Sequence, residues 1–172
     1  MPGEEKNWYV VYTKPRWEKK VYQLLIEKGM EAYCPLNRVR KKWSDRYKWV
    51  EEPLFRSYVF VKIGEEEKTG IRLVNGIVNF VYWLGKPAIV REHEIETIRK
   101  FMNDYVEVWA EPLVLQKDDK VTILKGAFMD KEGIVVMATR NRVRVLIESI
   151  GYSLVAVIDR QNVSAAVEKQ QG

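Results

Sequence analysis

The stretch of sequence that decides the fold is Pro53-Leu54-Phe55-Arg56-Ser57-Tyr58-Val59-Phe60-Val61-Lys62-Ile63. From Tyr58 onward the side chains alternate between two faces, which predicts a β-strand because successive strand residues point to opposite sides. One face is aliphatic, and the other begins with the aromatic residues Tyr58 and Phe60. A half-buried strand places polar residues outward, so two alternatives are open. Either both faces are buried within the domain, or the aromatic face binds a partner.

The composition indicates a folded protein that stays in the cytoplasm. The chain has 172 residues, of which 47% are apolar and 31% charged, so disorder is not expected. No run approaches the roughly 20 apolar residues of a membrane helix, and the first residues lack the apolar core of a secretory signal. The single cysteine, Cys34, excludes an intrachain disulfide and fits a reducing compartment. We expect a cytoplasmic monomer without membrane contact.

The positive charge is concentrated in the N-terminal third of the chain. Eleven Lys and Arg lie between Lys14 and Lys48 against four acidic residues, a surplus of seven, whereas the whole chain has a net charge of +5. Such clustering favours an anionic polymer over a small acidic substrate. A merely solvated basic face is the alternative at this stage.

The element order predicts an α+β domain over residues 1–106, with helices packed on an antiparallel sheet. A strand over Trp8–Thr13 is followed by a helix between Pro15 and Gly29, and a basic hairpin has its tip within Asn37–Trp49. A second helix is indicated by apolar residues spaced three and four apart from Ile95 to Tyr105, although no good cap residue precedes it.

The second half has a different pattern. Residues 107–117 contain a proline and no clear period, so they predict a linker. Residues 118–172 contain short strands only, separated by turn residues, which predicts a small closed β-barrel. The strands are expected at Val121–Leu124, Ile134–Ala138, Val143–Ile147, Leu154–Ile158 and near Val163.

Several segments of the chain resemble a known family. Trp8–Lys14 with the helix after it, Pro53–Val61 and Pro87–Val90 resemble the N-terminal (NGN) domain of the NusG family. Asp119–Val121 with Lys125–Phe128 and Gly133–Val135 resemble its KOW motif, which forms an SH3-like barrel. The sequence of these segments is most similar to that of specialised paralogues of the RfaH and UpxY type, which regulate polysaccharide operons.

The resemblance implies a transcription elongation and antitermination factor. Its N-terminal domain would bind the clamp helices of the largest subunit of bacterial RNA polymerase and suppress pausing or termination, and it could touch non-template DNA. The KOW domain would contact a ribosomal protein or the termination factor Rho. The rival interpretation is an RNA-binding or ribosome-associated KOW module. The strongly β-branched strands of this domain favour a permanent barrel over a helical form that covers the polymerase site.

Two sets of candidate site residues follow, one from the resemblance and one from the charge pattern. By motif position, the hydrophobic pocket for the clamp helices is assigned to Tyr12, Tyr58, Phe60 and, more weakly, Ile89; the alternative is that these aromatics are ordinary core. Nucleic-acid contacts are assigned to basic residues near the first helix and in the hairpin, because cations can follow phosphates while the interleaved Trp43, Tyr47 and Trp49 can stack on unpaired bases. These basic residues are Lys14, Arg16, Lys19, Lys20, Arg40, Lys41 and Lys42. The alternative for the hairpin is a solvated loop whose tryptophans pack on its own stem.

The sequence shows no catalytic or metal-binding pattern. His93 is the only histidine, expected in solvent at a helix start, and Cys34 in a strand is more often core than a nucleophile. Cys/His metal spacing and a glycine-rich phosphate loop are both missing from the sequence. We therefore expect a binding protein that is not an enzyme and needs no cofactor.

Overall fold

The alternating stretch forms strand β5 (Tyr58–Ile63), as the sequence predicts, and it lies inside a five-stranded antiparallel sheet. On one side β5 pairs with β2 (Glu31–Tyr33), and on the other with β1 (Asn7–Thr13). Strand β1 pairs in turn with β6 (Ile77–Phe80) and β9 (Ile89–Val90). The two central strands are therefore β1 and β5, whose register sets which side chains share a face.

The structure, a computed structural model, describes residues 5–113, 127–129, 135–139 and 141–157. The chain divides into two units, Met1–Ile95 and Glu96–Gly172. This division falls inside the helix α3 (Glu92–Asp104), ahead of the domain end at residue 106 that the sequence predicts.

Helix α1 (Glu18–Glu27) covers the aliphatic face of the sheet. Its Val21 and Leu25 are fully buried, as the predicted apolar stripe requires, and they pack in one cluster with the aliphatic side chains of β5. The helix begins three residues later than Pro15 because Arg16 has a left-handed backbone, with φ of 68°, that a helix cannot contain. Two shorter helical segments, the 3₁₀ turn Glu65–Glu67 and α2 (Lys68–Arg72), follow β5.

Helix α3 has a cap that the sequence analysis missed. The carboxylate of Glu94, which is buried, accepts hydrogen bonds from the backbone N–H and the side-chain Nε of Arg91 at 3.0 and 3.1 Å. The residue three positions into the helix thus satisfies a backbone donor ahead of its first turn. The predicted apolar positions Ile95 and Ile98 are buried.

The basic segment forms a separate two-stranded hairpin, β3 (Leu36–Trp43) and β4 (Arg46–Pro53), which confirms the predicted hairpin. A second, short hairpin joins β7 (Tyr82–Trp83) to β8 (Lys86–Pro87).

The C-terminal unit contains an antiparallel sheet in the order β10-β14-β13-β12-β11. Its strands are β10 (Val108–Pro112), β11 (Ala127–Met129), β12 (Val135–Ala138), β13 (Arg142–Ile147) and β14 (Tyr152–Val157). A 3₁₀ turn, Glu148–Ile150, joins β13 to β14. The predicted strands at Val121–Leu124 and near Val163, and most of the KOW-like segments, lie outside the described residues.

Within the predicted linker, residues 108–112 form a regular element, the edge strand β10. This strand pairs with β14 from Val108↔Ala156 to Pro112↔Tyr152. Its hydrogen-bond partners lie some forty residues away in sequence, so local periodicity does not reveal it.

Candidate partner-binding and nucleic-acid interfaces

Tyr12 and Tyr58 form an aromatic pair on the sheet face opposite α1. They are direct neighbours across β1 and β5, and their ring centroids lie 5.9 Å apart at an interplanar angle of 65°, an edge-to-face arrangement. Tyr12 is 46% exposed and Tyr58 is half-buried. The backbone N–H of Thr13 donates to the carbonyl of Ser57 at 2.8 Å and holds the ends of the two strands together. This pair, the aromatic patch, is a partly exposed apolar surface on rigid strands.

Phe60 lies beneath the surface and not on it. The register places it opposite Val10 on the same face as the patch, but its side chain is fully buried. Its ring packs edge-to-face on Phe55 at 5.6 Å and lies 6.1 Å from Tyr33. Phe60 and Phe55 are therefore core residues in this structure. Burial, the first of the two alternatives for this face, holds at Phe60, whereas Tyr12 on the same face is exposed. The sequence pattern did not single out Phe55.

Ile89 is exposed, yet the structure does not bring it to the aromatic patch. It pairs with Tyr9 across β1 and β9. Tyr9 belongs to the core on the α1 side of the sheet, so Ile89 lies on that side too, and Tyr12 lies on the other. A shift of one residue in the pairing of β9 with β1 would place Ile89 on the same face as Tyr12.

The predicted cations around the first helix lie in its first turn and in the segment just before it. The ammonium groups of Lys14 and Lys20 lie 5.6 and 4.7 Å from the ring centroid of Trp17. The backbone N–H of Lys14 donates to the carbonyl of Gly76 at 2.9 Å. Trp17 and this hydrogen bond together fix where two of the four predicted cations lie.

The other two, Arg16 and Lys19, line an open groove of about 530 Å³ between α1 and the base of the hairpin. The groove also includes Lys41 and a cation that the sequence analysis missed, Arg56. Buried Glu18 lies at its wall and accepts a hydrogen bond from the backbone N–H of Ser57 at 3.3 Å. Four cations from three sequence regions thus meet at one groove. Glu18, Glu51 and Glu52 line it as well, so the excess of positive charge there is small.

The three predicted cations of the hairpin divide between its two faces. Arg40 and Lys42 share one face because they are two residues apart, and Lys41 points to the other. Lys41 also forms an ion pair with Glu52, so part of its charge is neutralised.

The described residues offer little support for a catalytic site. Burial above all, together with the nearby Glu18 carboxylate, raises the pKa of the Cys34 thiol to about 12, so the thiolate is scarce at neutral pH. His93 is half-buried and not in solvent as expected. Among the described residues, no group of three or more His, Cys, Asp and Glu side chains could hold a metal ion.

Comparison with known proteins identifies the family. Residues 6–99, more than half of the chain, match the sequence model of the family described as "Transcription termination factor nusG". The chain belongs to the NusG family. A KOW motif matches residues 117–148. These two matches confirm the family resemblance and the order of its two parts.

Similar proteins extend the NusG match over nearly the whole chain. "Transcription termination/antitermination protein NusG" of Streptococcus pyogenes serotype M1 is 27% identical over 90% of this chain and 93% of that protein. The protein of the same name from Pseudomonas aeruginosa is 26% identical over 86% and 92%. A solved structure described as "Domain interaction in Thermotoga maritima NusG" aligns with a TM-score of 0.45 at 18% identity, over 90% of this chain and 94% of that one.

A membrane-spanning helix is not found in the described part of this NusG-family chain, since none of its helices is long and apolar enough.

Proposed function

We propose that this protein is a transcription elongation and antitermination factor that binds the clamp helices of the largest subunit of bacterial RNA polymerase. The observation that supports this most directly is the aromatic patch in a chain of the NusG family. We further propose that it acts without catalysis, as a specialised paralogue at particular operons such as polysaccharide clusters. Its KOW domain, as an SH3-like barrel, would contact a ribosomal protein or Rho.

The aromatic patch has the properties of a docking surface for a helix. Tyr12 offers an amphipathic ring at the surface, Tyr58 packs against its edge, and Phe60 supports both strands from below. Exposed aromatics on rigid strands lose little conformational entropy on binding, which is why tyrosine is common at interface hot spots. Ile89, exposed on the opposite face, would need a separate contact with the polymerase.

A nucleic-acid contact accompanies polymerase binding in this proposal. The basic groups near α1 would hold phosphates of an unpaired strand such as non-template DNA, and those of the hairpin would extend the contact. The residues are Lys14, Arg16, Lys19, Lys20, Arg40, Lys41 and Lys42, and the groove adds Arg56. Four of them, Arg16, Lys19, Lys41 and Arg56, line the groove from separate parts of the chain, which supports this proposal.

Replacement of Tyr12 tests the polymerase contact. Hot-spot truncations cost about 2 kcal/mol or more, so Tyr12→Ala should weaken binding to purified core RNA polymerase about 30-fold, measured by fluorescence anisotropy of labelled protein. The matched control is Tyr82→Ala, since Tyr82 is 49% exposed and lies on the separate β7–β8 hairpin. Its affinity should equal that of the unmodified protein.

Equal affinities of the two variants would reject the aromatic patch as the polymerase site. Phe60 is unsuitable for this test because a charge at a fully buried position would destabilise the N-terminal unit itself. A parallel pull-down with ribosomes separates the rival interpretation, in which ribosomes and not polymerase are captured.

A further inference from the structure

The β3–β4 hairpin exposes the three large aromatic side chains that the sequence pattern assigns to base stacking. Trp43, Tyr47 and Trp49 are 66%, 59% and 50% exposed. The hairpin is a two-stranded sheet by itself, and all of its residues from Arg40 to Trp49 are exposed. Large exposed aromatics in a charged setting indicate contact with a partner more often than packing.

The register sorts these aromatics onto two different faces. Arg40 is paired with Trp49 and Lys42 with Tyr47, so these four residues share a face, as does Arg38 two positions before Arg40. We call this surface the stacking face; it consists of Arg38, Arg40, Lys42, Tyr47 and Trp49. The opposite face contains Lys41, Trp43, Arg46 and Lys48.

The stacking face repeats one arrangement twice. The guanidinium of Arg38 lies 5.2 Å from the ring centroid of Trp49, and that of Arg40 lies 4.2 Å from the ring of Tyr47. Each arginine reaches diagonally across the strands by the same offset, so the two pairs follow each other at the same-face spacing of roughly 6.8 Å. Lys42 continues the row of cations along β3.

The opposite face lacks this repeat. Its one aromatic, Trp43, lies at the end of the strand next to the turn, with the ammonium of Lys48 5.9 Å from its ring centroid. Its Lys41 is paired with Glu52. The two faces are therefore similar in composition and different in arrangement, which makes each a control for the other.

We propose that the stacking face binds an unpaired nucleic-acid strand. Bases would stack on the rings of Tyr47 and Trp49 and on the guanidinium planes above them, while Arg38, Arg40 and Lys42 contact successive phosphates. Three cations against one carboxylate, Glu51, give the face the complementary charge. Ring and guanidinium faces meet bases and phosphates, not the sugar, so DNA and RNA should bind alike.

This inference deepens the nucleic-acid contact of the proposed function and gives it a ligand class and a face. It also excludes Lys41 and Trp43, which lie on the opposite face of the hairpin, from the hairpin's contact with the strand. Only bases released from a duplex expose the ring surfaces that this face could stack on, so a duplex should bind more weakly than either single strand.

The test compares Trp49→Ala with Trp43→Ala in the full-length protein. The probe is a fluorescently labelled oligonucleotide about 12 nucleotides long, as unpaired DNA, unpaired RNA and duplex, and the readout is anisotropy. Trp49→Ala should raise the Kd for both single strands about fivefold or more, the loss expected for one base stack. Trp43→Ala should leave it unchanged, and Trp49→Phe, which retains a ring, should recover most of the affinity.

The salt dependence of binding distinguishes a phosphate contact from a merely structural role. Arg40→Gln should reduce the slope of log K against log salt by about 0.7, the value for one phosphate contact on a single strand, whereas Lys48→Gln should not change it. Far-ultraviolet circular dichroism of each variant shows whether the hairpin and its domain remain folded.

Three outcomes would overturn the proposal: equal losses in Trp43→Ala and Trp49→Ala, no loss in either, or tighter binding of the duplex than of the single strands. The assay contains no polymerase. Its failure therefore leaves the polymerase contact of Tyr12 untouched, and failure of the Tyr12 test leaves this one standing.

Discussion

Gly76→Ala should destabilise the N-terminal unit and disturb the basic surface at the same time. Gly76 has φ of 93°, in the left-handed region, and its carbonyl accepts the hydrogen bond from Lys14. A Cβ at this position would lie 2.5 Å from Cε3 of Trp17 and 2.9 Å from Cγ2 of Val21. The added methyl group therefore meets both backbone strain and two side chains that belong to the α1 packing.

The magnitude is the sum of these two effects. A left-handed backbone costs an L-residue about 1–2 kcal/mol, and an extra carbon in a packed site costs about 1–3 kcal/mol. We expect the free energy of unfolding to fall by about 2–5 kcal/mol, which lowers Tm by at least about 8 °C for a unit of this size. Gly29→Ala isolates the first effect, because Gly29 has φ of 79° but no atom within 4 Å of the added Cβ. This control should lose only about 1–2 kcal/mol.

The assay is urea denaturation followed by tryptophan fluorescence, which reports mainly on the N-terminal unit because only Trp109 of the six tryptophans lies in the other unit. Displacement of Trp17 would also move Lys14 and Lys20, so affinity for single strands should fall in Gly76→Ala and persist in Gly29→Ala. If Gly76→Ala is no less stable than Gly29→Ala, the predicted steric clash with Trp17 and Val21 does not exist.

Two further predictions concern carboxylates with structural roles. Glu94→Ala should lower the free energy of unfolding by about 1–2 kcal/mol because the Arg91 backbone N–H loses its acceptor. Glu94→Gln, which keeps an acceptor oxygen, should lose less. Thermal melts measure both effects, and a melting temperature of Glu94→Ala equal to that of Glu94→Gln would contradict the cap. In the C-terminal unit, hydrogen bonds from the indole of Trp109 and the guanidinium of Arg144 hold the pKa of Glu111 below its ordinary value of 4.5. Because the folded-state pKa is the lower one, this stabilisation is present above about pH 4.5 and is lost as the pH falls through the folded pKa. The protection factor of each β10 amide, which is the ratio of its intrinsic to its observed exchange rate at the same pH, should therefore fall on acidification from about pH 6 to about pH 3. Glu111→Gln should flatten that dependence, and protection factors that do not change with pH would show that Glu111 does not hold this edge strand.

Much of the local structure was predictable because its causes are local. The alternation of Tyr58–Ile63, the apolar stripe of Val21 and Leu25 and the basic hairpin all follow from the chain's own spacing and turn residues. The buried cap of Glu94 has a weak local signal, a glutamate three residues after the helix begins, which lacks the usual Ser or Thr before it. The edge strand β10 has no such signal, because its partner β14 lies far along the chain.

The sequence by itself determined the two-part organisation, the family and the residue types available for binding. Only the tertiary structure decided where those residues point. Strand pairing placed Tyr12 beside Tyr58, put Phe60 beneath the surface, and turned Ile89 to the opposite face. It likewise placed Arg40 opposite Trp49 and Lys42 opposite Tyr47. The physical reason is that a strand has a period of two, so its faces are known from the sequence, whereas the register between strands depends on contacts distant in the chain.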